Sequence, residues 1–219
     1  MIKKTVFTGL ILCGLMGGAV AQTGKNDPKA KAVLDNVSKK FKSLKSVIAN
    51  FVLKVEGANN SISDSRKGSV YVKGTKYKVV MGDQEIISDN KTSWTYAKDV
   101  NEVTINNVDQ SSQGMTPAKI FTNFYDKDFL YKLNGETTEK GKVLQNIELT
   151  PTDKSKPFFK VLIDVDKKTS TLARMKVFEK NGNRYTYEIN SFQPNGAVTD
   201  EMFTFDAKKH PGVEVVDLR

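Results

Sequence analysis

The chain holds one histidine, His210, and one cysteine, Cys13, in 219 residues. Nucleophilic catalysis needs an attacking group, a base and an orienting group within reach of one another. His210 stands near the C-terminal end beside Pro211, Cys13 lies in the first apolar run, and serines and aspartates gather in turn-like stretches such as residues 61–64 and Ser111-Ser112. No GxSxG occurs. Metal chemistry fares no better, because HExxH, CxxC and an EF-hand loop are all absent, and Asp164 with Asp166 reads as a strand end before Lys167-Lys168. The Gly17-Gly18 pair falls in the N-terminal apolar segment, so no glycine-rich loop cradles a phosphate. Spacing singles out no pair of carboxylates for glycoside hydrolysis. His210 is expected to be an ordinary surface or edge residue. The expectation is a protein that binds, with no catalytic residue, no metal and no cofactor.

Tyr71, Lys73, Lys76, Tyr77 and Lys78 come nearest to a nucleic-acid pattern. Their alternation sends the lysines and Tyr77 to different faces, as any half-buried strand does, so no nucleic-acid partner is expected. The formal charge of +9 points instead to anionic lipid surfaces, acidic partners or solubility.

The N-terminal segment explains part of that reading. Lys3 and Lys4 precede an apolar run from residue 6 to 16, and Ala19 and Ala21 stand ahead of Gln22. This is the three-part pattern of a secretory signal peptide, residues 1–21, cleaved after Ala21. The run is shorter than the roughly 20 apolar residues a membrane span needs. Cleavage removes Cys13 and both lysines, so the exported chain has no cysteine and a charge of +7. Residues 22–219 are then expected to form a single domain with a sizeable core and no disulfide.

The elements follow from periodicity. Asp27-Pro28 is a helix start, and Val33, Val37, Phe41 and Leu44 recur on one side of a lysine-rich amphipathic helix. A strand over residues 47–55 and a polar loop over 57–65 lead to a meander, residues 66–108, broken at Lys73-Gly74, Gly82-Asp83, Asp89-Asn90 and Lys98-Asp99. Its apolar face is expected to carry Tyr77, Val79 and Met81, then Trp94 and Tyr96. Thr116-Pro117 opens a short helix with Ile120, Phe121 and Phe124 on its apolar side, too short to stand without packing. Five further strands follow, including a hairpin at Asn181-Gly182-Asn183, and the apolar segment 213–218 either adds a strand or packs along an edge. About eleven strands and two helices argue for one large antiparallel sheet that twist curls into a barrel or partial barrel. Two arrangements satisfy this pattern. Either the aromatic side chains interdigitate in a solid core, or the helices act as a lid over a cavity for an apolar ligand.

Ile86 to Ile105, IISDNKTSWTYAKDVNEVTI, resembles a segment of the periplasmic lipoprotein carrier family, LolA. There an apolar pair is followed by Ser-Asp-Gly, a short gap and Trp-x-Tyr. Ser88, Asp89, Trp94 and Tyr96 fit, with Asn90 where the glycine usually stands. Gly68-Ser-Val-Tyr-Val-Lys73 resembles the strand after the variable loop, and Thr116-Pro117 the start of the lid helix. The resemblance implies an unclosed antiparallel barrel with an N-terminal helix and a short lid helix over its concave face. It implies a cavity for the acyl chains of lipoproteins, received from an inner-membrane release complex and carried to an outer-membrane acceptor. The same fold also accommodates a non-catalytic periplasmic lipid-binding, sensing or structural interaction protein. On this reading Phe51, Tyr77, Val79, Met81, Trp94, Tyr96, Phe121 and Phe124 contribute to the cavity wall, and Met115, Pro117 and Ile120 belong to the lid. A monomer that touches membrane surfaces transiently is expected. One departure stands out: Gly74 and Thr75 follow Lys73 where the family commonly continues Arg-Pro, the arginine helping to hold the lid closed when empty.

Overall fold

The computed structural model describes residues 26–58, 62–108 and 125–219. The signal segment 1–21 and the short helix expected after Thr116, with Met115, Pro117, Ile120, Phe121 and Phe124, lie outside the described residues.

Helix α1, Pro28–Lys42, begins where expected. Asp27 caps it, accepting from the amide of Lys29 at 2.8 Å with one carboxylate oxygen and from that of Leu133 at 3.0 Å with the other. Two jobs therefore fall to one residue: it satisfies a free helix amide and ties the helix start to a strand 106 residues later. These backbone donors hold its carboxyl below the usual range. Ala30, Val33, Leu34 and Phe41 are buried along the apolar stripe, with Val37 and Leu44 packed beside them. Each large apolar side chain so covered contributes about 1.5–3 kcal/mol.

The strands are β1 (Val47–Glu56), β2 (Ile62–Lys73), β3 (Lys76–Met81), β4 (Gln84–Ser88), β5 (Thr92–Ala97), β6 (Glu102–Asn107), β7 (Phe129–Glu139), β8 (Lys142–Pro151), β9 (Phe158–Asp166), β10 (Thr171–Glu179), β11 (Arg184–Pro194) and β12 (Glu214–Asp217). They form one unclosed sheet in the order β12-β6-β5-β4-β3-β2-β1-β11-β10-β9-β8-β7. All four expected breaks in the meander are turns between consecutive strands. One expectation is made definite and another needs correction. The count is twelve strands among the described residues, because the C-terminal segment pairs with β6, and does so in parallel, which makes the sheet mixed. The polar stretch 57–65 is not all loop: β2 starts at Ile62, and its polar beginning is paired with Leu53–Glu56 across a bulge at Val55/Glu56. Polar composition hides a strand whose backbone hydrogen bonds, not its side chains, supply the pairing.

Helix α1 covers the concave face of the half that contains β7 and β10. The main core lies between them, built from Val47, Ala49, Phe51 and Leu53 of β1, Val70 and Val72 of β2, and Tyr131, Ile147, Leu149, Val161, Ile163 and Met175 of the second half. On the convex side of that half, Lys54 pairs with Glu188 at 2.9 Å, Lys176 with Glu56 at 2.8 Å, and Arg174 with Asp164 at 2.6 Å. One face meets the core and the other meets water, as an antiparallel sheet allows.

Candidate ligand-binding face

Cross-strand register decides which side chains share a face, because partners on antiparallel strands point the same way. Phe51 pairs with Gly68, and Gly68 with Met81. Val70 pairs with Val79, and Val72 with Tyr77. On the other side of β1, Phe51 pairs with Ile189, Leu53 with Tyr187 and Val55 with Tyr185. One concave surface thus runs from β3 across β2 and β1 to β11.

Phe51 is buried, whereas Tyr77, Val79, Met81, Tyr185, Tyr187 and Ile189 are only half-buried against the core. The rings of Phe51 and Tyr187 lie 5.9 Å apart and tilted by 55°. Gly68 leaves the room that Phe51 occupies: a Cβ there would stand 2.5 Å from Phe51 Cζ. A strand glycine here serves close packing, not a turn. Burial pushes the Tyr77 hydroxyl to a higher pKa, a shift partly offset by its hydrogen bond with the Ser88 side chain. Burial raises Tyr187 as well, with smaller contributions from Tyr185 and Glu179. Both phenols are therefore neutral at pH 7, so the stretch they line with Phe51, Val79, Met81 and Ile189 carries no charge; further along the same face, opposite Leu53 and Val55, Arg66 and Asp64 form an ion pair at 2.6 Å.

Trp94 and Tyr96 do not join this face. Ile86 pairs with Val79 and with Thr95, so Thr95 shares the concave side. Trp94 pairs with Ile87, and Ile87 with Lys78, which places the two aromatic residues on the convex side. The single apolar face expected for the meander is in fact two. Alternation within each strand is read correctly from the sequence, but the phase between strands is set by where the turns fall.

The C-terminal tail covers Tyr96 on the convex side. Ile87, Tyr96, Val103 and Phe203 are buried there, apart from the main core. Tyr96 donates to Asn101 Oδ1 at 3.0 Å, and its ring lies 5.1 Å from that of Phe205. His210 stacks on Phe205 at 4.5 Å and 16°, with its edge against Tyr96 at 4.5 Å. The histidine is thus a half-exposed packing element of this tail, just ahead of the edge strand β12. Asp200 anchors the same tail by reaching Lys73 at 2.8 Å and Lys76 at 2.9 Å.

Ser88 and Asp89 build a turn. Asp89 Oδ1 accepts from the amides of Lys91 and Thr92 at 2.8 and 2.7 Å, and Ser88 Oγ accepts from the amide of Asn90 at 3.2 Å. Asn90 sits at φ +80°, which glycine adopts freely and asparagine tolerates. The Ser-Asp-Asn stretch closes the β4–β5 hairpin, and Ser88 also supports Tyr77 from beneath. Gly74, at φ +59°, turns the β2–β3 hairpin, with no atom within 4 Å of its Cβ position.

Sequence reasoning missed Tyr185, Tyr187 and Ile189 as partners of Phe51. Their alternation marks a strand, but β11 lies more than a hundred residues from β1 and only register joins them. The convex face offers an unsuitable alternative for an apolar ligand. Its cleft of about 270 Å³ is walled by paired charges such as Lys54, Glu56, Arg174 and Glu188. Among the described residues no group of three or more His, Cys, Asp or Glu could hold a metal, and no helix is long and apolar enough to cross a membrane.

Comparison with known proteins agrees with this architecture. The chain is 27% identical to an outer-membrane lipoprotein carrier protein of Pectobacterium carotovorum over 222 positions, covering the whole of both chains. Among solved structures, an uncharacterized conserved protein of Thermus thermophilus superposes with a TM-score of 0.60 at 13% identity, covering 86% of this chain and 99% of that one. The Pseudomonas aeruginosa MucA/MucB complex gives 0.50 at 14% identity, covering 82% of this chain and 62% of that one. These structures share the fold. The family described as outer membrane lipoprotein carrier protein LolA matches residues 42–206, three quarters of the sequence, so the chain belongs to that family of non-catalytic carriers of the periplasm.

Proposed function

We propose that the concave face takes up acyl chains, and that the protein is a non-catalytic periplasmic acyl-chain binder whose cargo is lipoprotein. The observation that carries this reading is the uncharged, half-buried surface running from Met81 and Val79 past Phe51 to Tyr187 and Ile189. Covering each acyl CH2 gains about 0.8 kcal/mol, so a multi-chain lipid stays out of water only when something encloses it. A surface without a fixed charge binds such chains well and makes few demands on the protein attached to them. That suits a cargo whose polypeptide varies.

Transfer from an inner-membrane release complex to an outer-membrane acceptor is the finer part of the proposal. It rests on family membership and on the likeness to proteins named as carriers. Transfer needs no bond making, only an acceptor that binds the chains more tightly or a cover that opens. Met115, Pro117 and Ile120 are assigned to that cover by the family resemblance, with Phe121 and Phe124 of the same helix facing the cavity. Signal cleavage after Ala21, leaving a single domain over residues 22–219, belongs to the same proposal.

A second reading, a lipid-binding, sensing or interaction protein of the same fold, is favoured by the likeness to the MucA/MucB complex. Native mass spectrometry after co-expression with a lipidated client separates the two. A complex that forms only with the acylated client supports carriage, and equal binding of the unlipidated client supports the interaction reading.

A further inference from the structure

A bulge near the start of β9 sets two consecutive side chains on the convex face. Phe178 of β10 pairs with Lys160 and Glu179 with Phe158, so Phe159 is the extra residue. Phe158 faces inward, 8% exposed and stacked on Phe129, and Val161 is fully buried. Strict alternation between these two inward residues leaves no place for two residues on one side. The bulge supplies it, and Phe159 is turned out to 49% exposure.

The outer surface around Phe159 is basic. Its ring lies 6.2 Å from that of Phe178. Three cations converge on the Phe178 ring: Lys160 Nζ at 4.6 Å from its centre, Arg184 at 5.5 Å and Lys176 Nζ at 5.6 Å. Residues 152–160 and 176–184, which form this corner of the sheet, carry six lysines and arginines against two carboxylates, Asp153 and Glu179; with Lys156 buried and Lys176 paired with Glu56, four cations remain for the outer surface. The whole chain has 34 against 25. Lys176, at the border of this corner, meets Glu56 at 2.8 Å, and the neighbouring convex face carries the ion pairs of Lys54 and Arg174.

We propose that Phe159 and Phe178, with Lys160 and Arg184, form a docking patch for an anionic phospholipid surface. An exposed aromatic side chain held by a bulge, beside a second ring over which cations lie, matches the chemistry of the lipid–water boundary. The phenyl ring enters the headgroup layer while the ammonium and guanidinium groups meet phosphates. The patch lies on the outer side of the sheet, so membrane contact through it leaves the concave acyl-binding face unobstructed. The surface charge of a membrane also suits several separated cations better than a single small anion does.

The test is flotation of the purified protein with vesicles of phosphatidylcholine, with and without phosphatidylglycerol. Binding is expected only with phosphatidylglycerol, and it should weaken as salt rises from about 0.02 M to about 0.3 M. Lys160→Gln should lower vesicle affinity about fivefold, and Phe159→Ala about tenfold. Lys142→Gln, which removes an exposed charge elsewhere, should change affinity less than either. Circular dichroism of each variant reports that the fold is retained. Equal binding to both vesicle types, or loss from Lys142→Gln equal to that from Lys160→Gln, overturns the proposal. So does full competition by soluble glycerophosphate, or binding of an acidic polypeptide without binding of vesicles. Retention of an acylated client is a separate reading, so failure here leaves the carrier function standing and failure there leaves this patch standing.

Discussion

Phe51 lies directly over Gly68, its Cζ only 2.5 Å from where a β-carbon on Gly68 would stand. This pairing joins the two halves of the concave face, because Phe51 reaches Tyr187 on one side while Gly68 pairs with Met81 on the other. Gly68→Ala must therefore displace the ring toward the acyl-binding surface. The expected cost is about 1–3 kcal/mol of stability, the range of an overpacked core. Fatty-acid affinity should fall as well, measured by urea unfolding and by displacement of a fluorescent acyl probe. Unchanged values for both would remove Phe51 from the site.

The only tryptophan, Trp94, is on the convex side. Its emission is expected to stay constant when an acyl ligand binds and to shift to the red when the C-terminal tail is loosened by Phe203→Ala. A large ligand-induced change in Trp94 emission would place the ligand elsewhere than the concave face.

Phe203 is fully buried against the convex side of the meander. Replacing it by alanine should cost about 3–5 kcal/mol, the range for a buried phenylalanine. Hydrogen exchange should show the loss concentrated in β3 and β4, on which the turn carrying Phe203 packs. Acyl binding, normalised to folded protein, should be unaffected.

Asp200 titrates abnormally. Hydrogen bonds from Lys73 and then Lys76 pull its carboxyl from 3.8 to about 2. A lowered folded value means that its contribution is complete above the unfolded pKa of 3.8 and fades as pH falls toward 2. Comparing melting temperatures of the protein and of Asp200→Asn across that window isolates the effect. The gap between them should be open at neutral pH and closed near the lower limit. A gap independent of pH would assign the loss to packing and not to charge.

Asn90, at φ +80° in the β4–β5 turn, tests the role of the Ser-Asp-Asn stretch. Asn90→Gly should leave stability equal or slightly higher, and Asn90→Ala should lower it by about 1–2 kcal/mol. Chemical denaturation reads both. Acyl binding should be the same in each variant, because the stretch shapes a hairpin and touches no ligand.

Local patterns in the sequence determined the parts of this protein. Asp27-Pro28 and the apolar stripe through Phe41 specify α1, and positions such as Gly74, Gly82 and Asn90 specify the meander turns. These signals act over a few residues, where dihedral preferences and side-chain period suffice. Similarly, the absence of a reactive constellation is a property of composition.

Tertiary structure alone decided which residues meet. Tyr77 and Trp94 both look like core residues of one meander, yet the register through Ile86, Ile87 and Thr95 sends them to opposite faces. Whether a strand's inward set is its odd or even residues depends on turn length and on bulges, and a shift of one residue exchanges the two sets. For the same reason Phe159 emerges beside Lys160, and Tyr187 beside Phe51, although nothing near them in the chain signals it. The binding face is completed by the pairing of β1 with β11, segments more than a hundred residues apart, and that pairing exists only once the sheet is assembled.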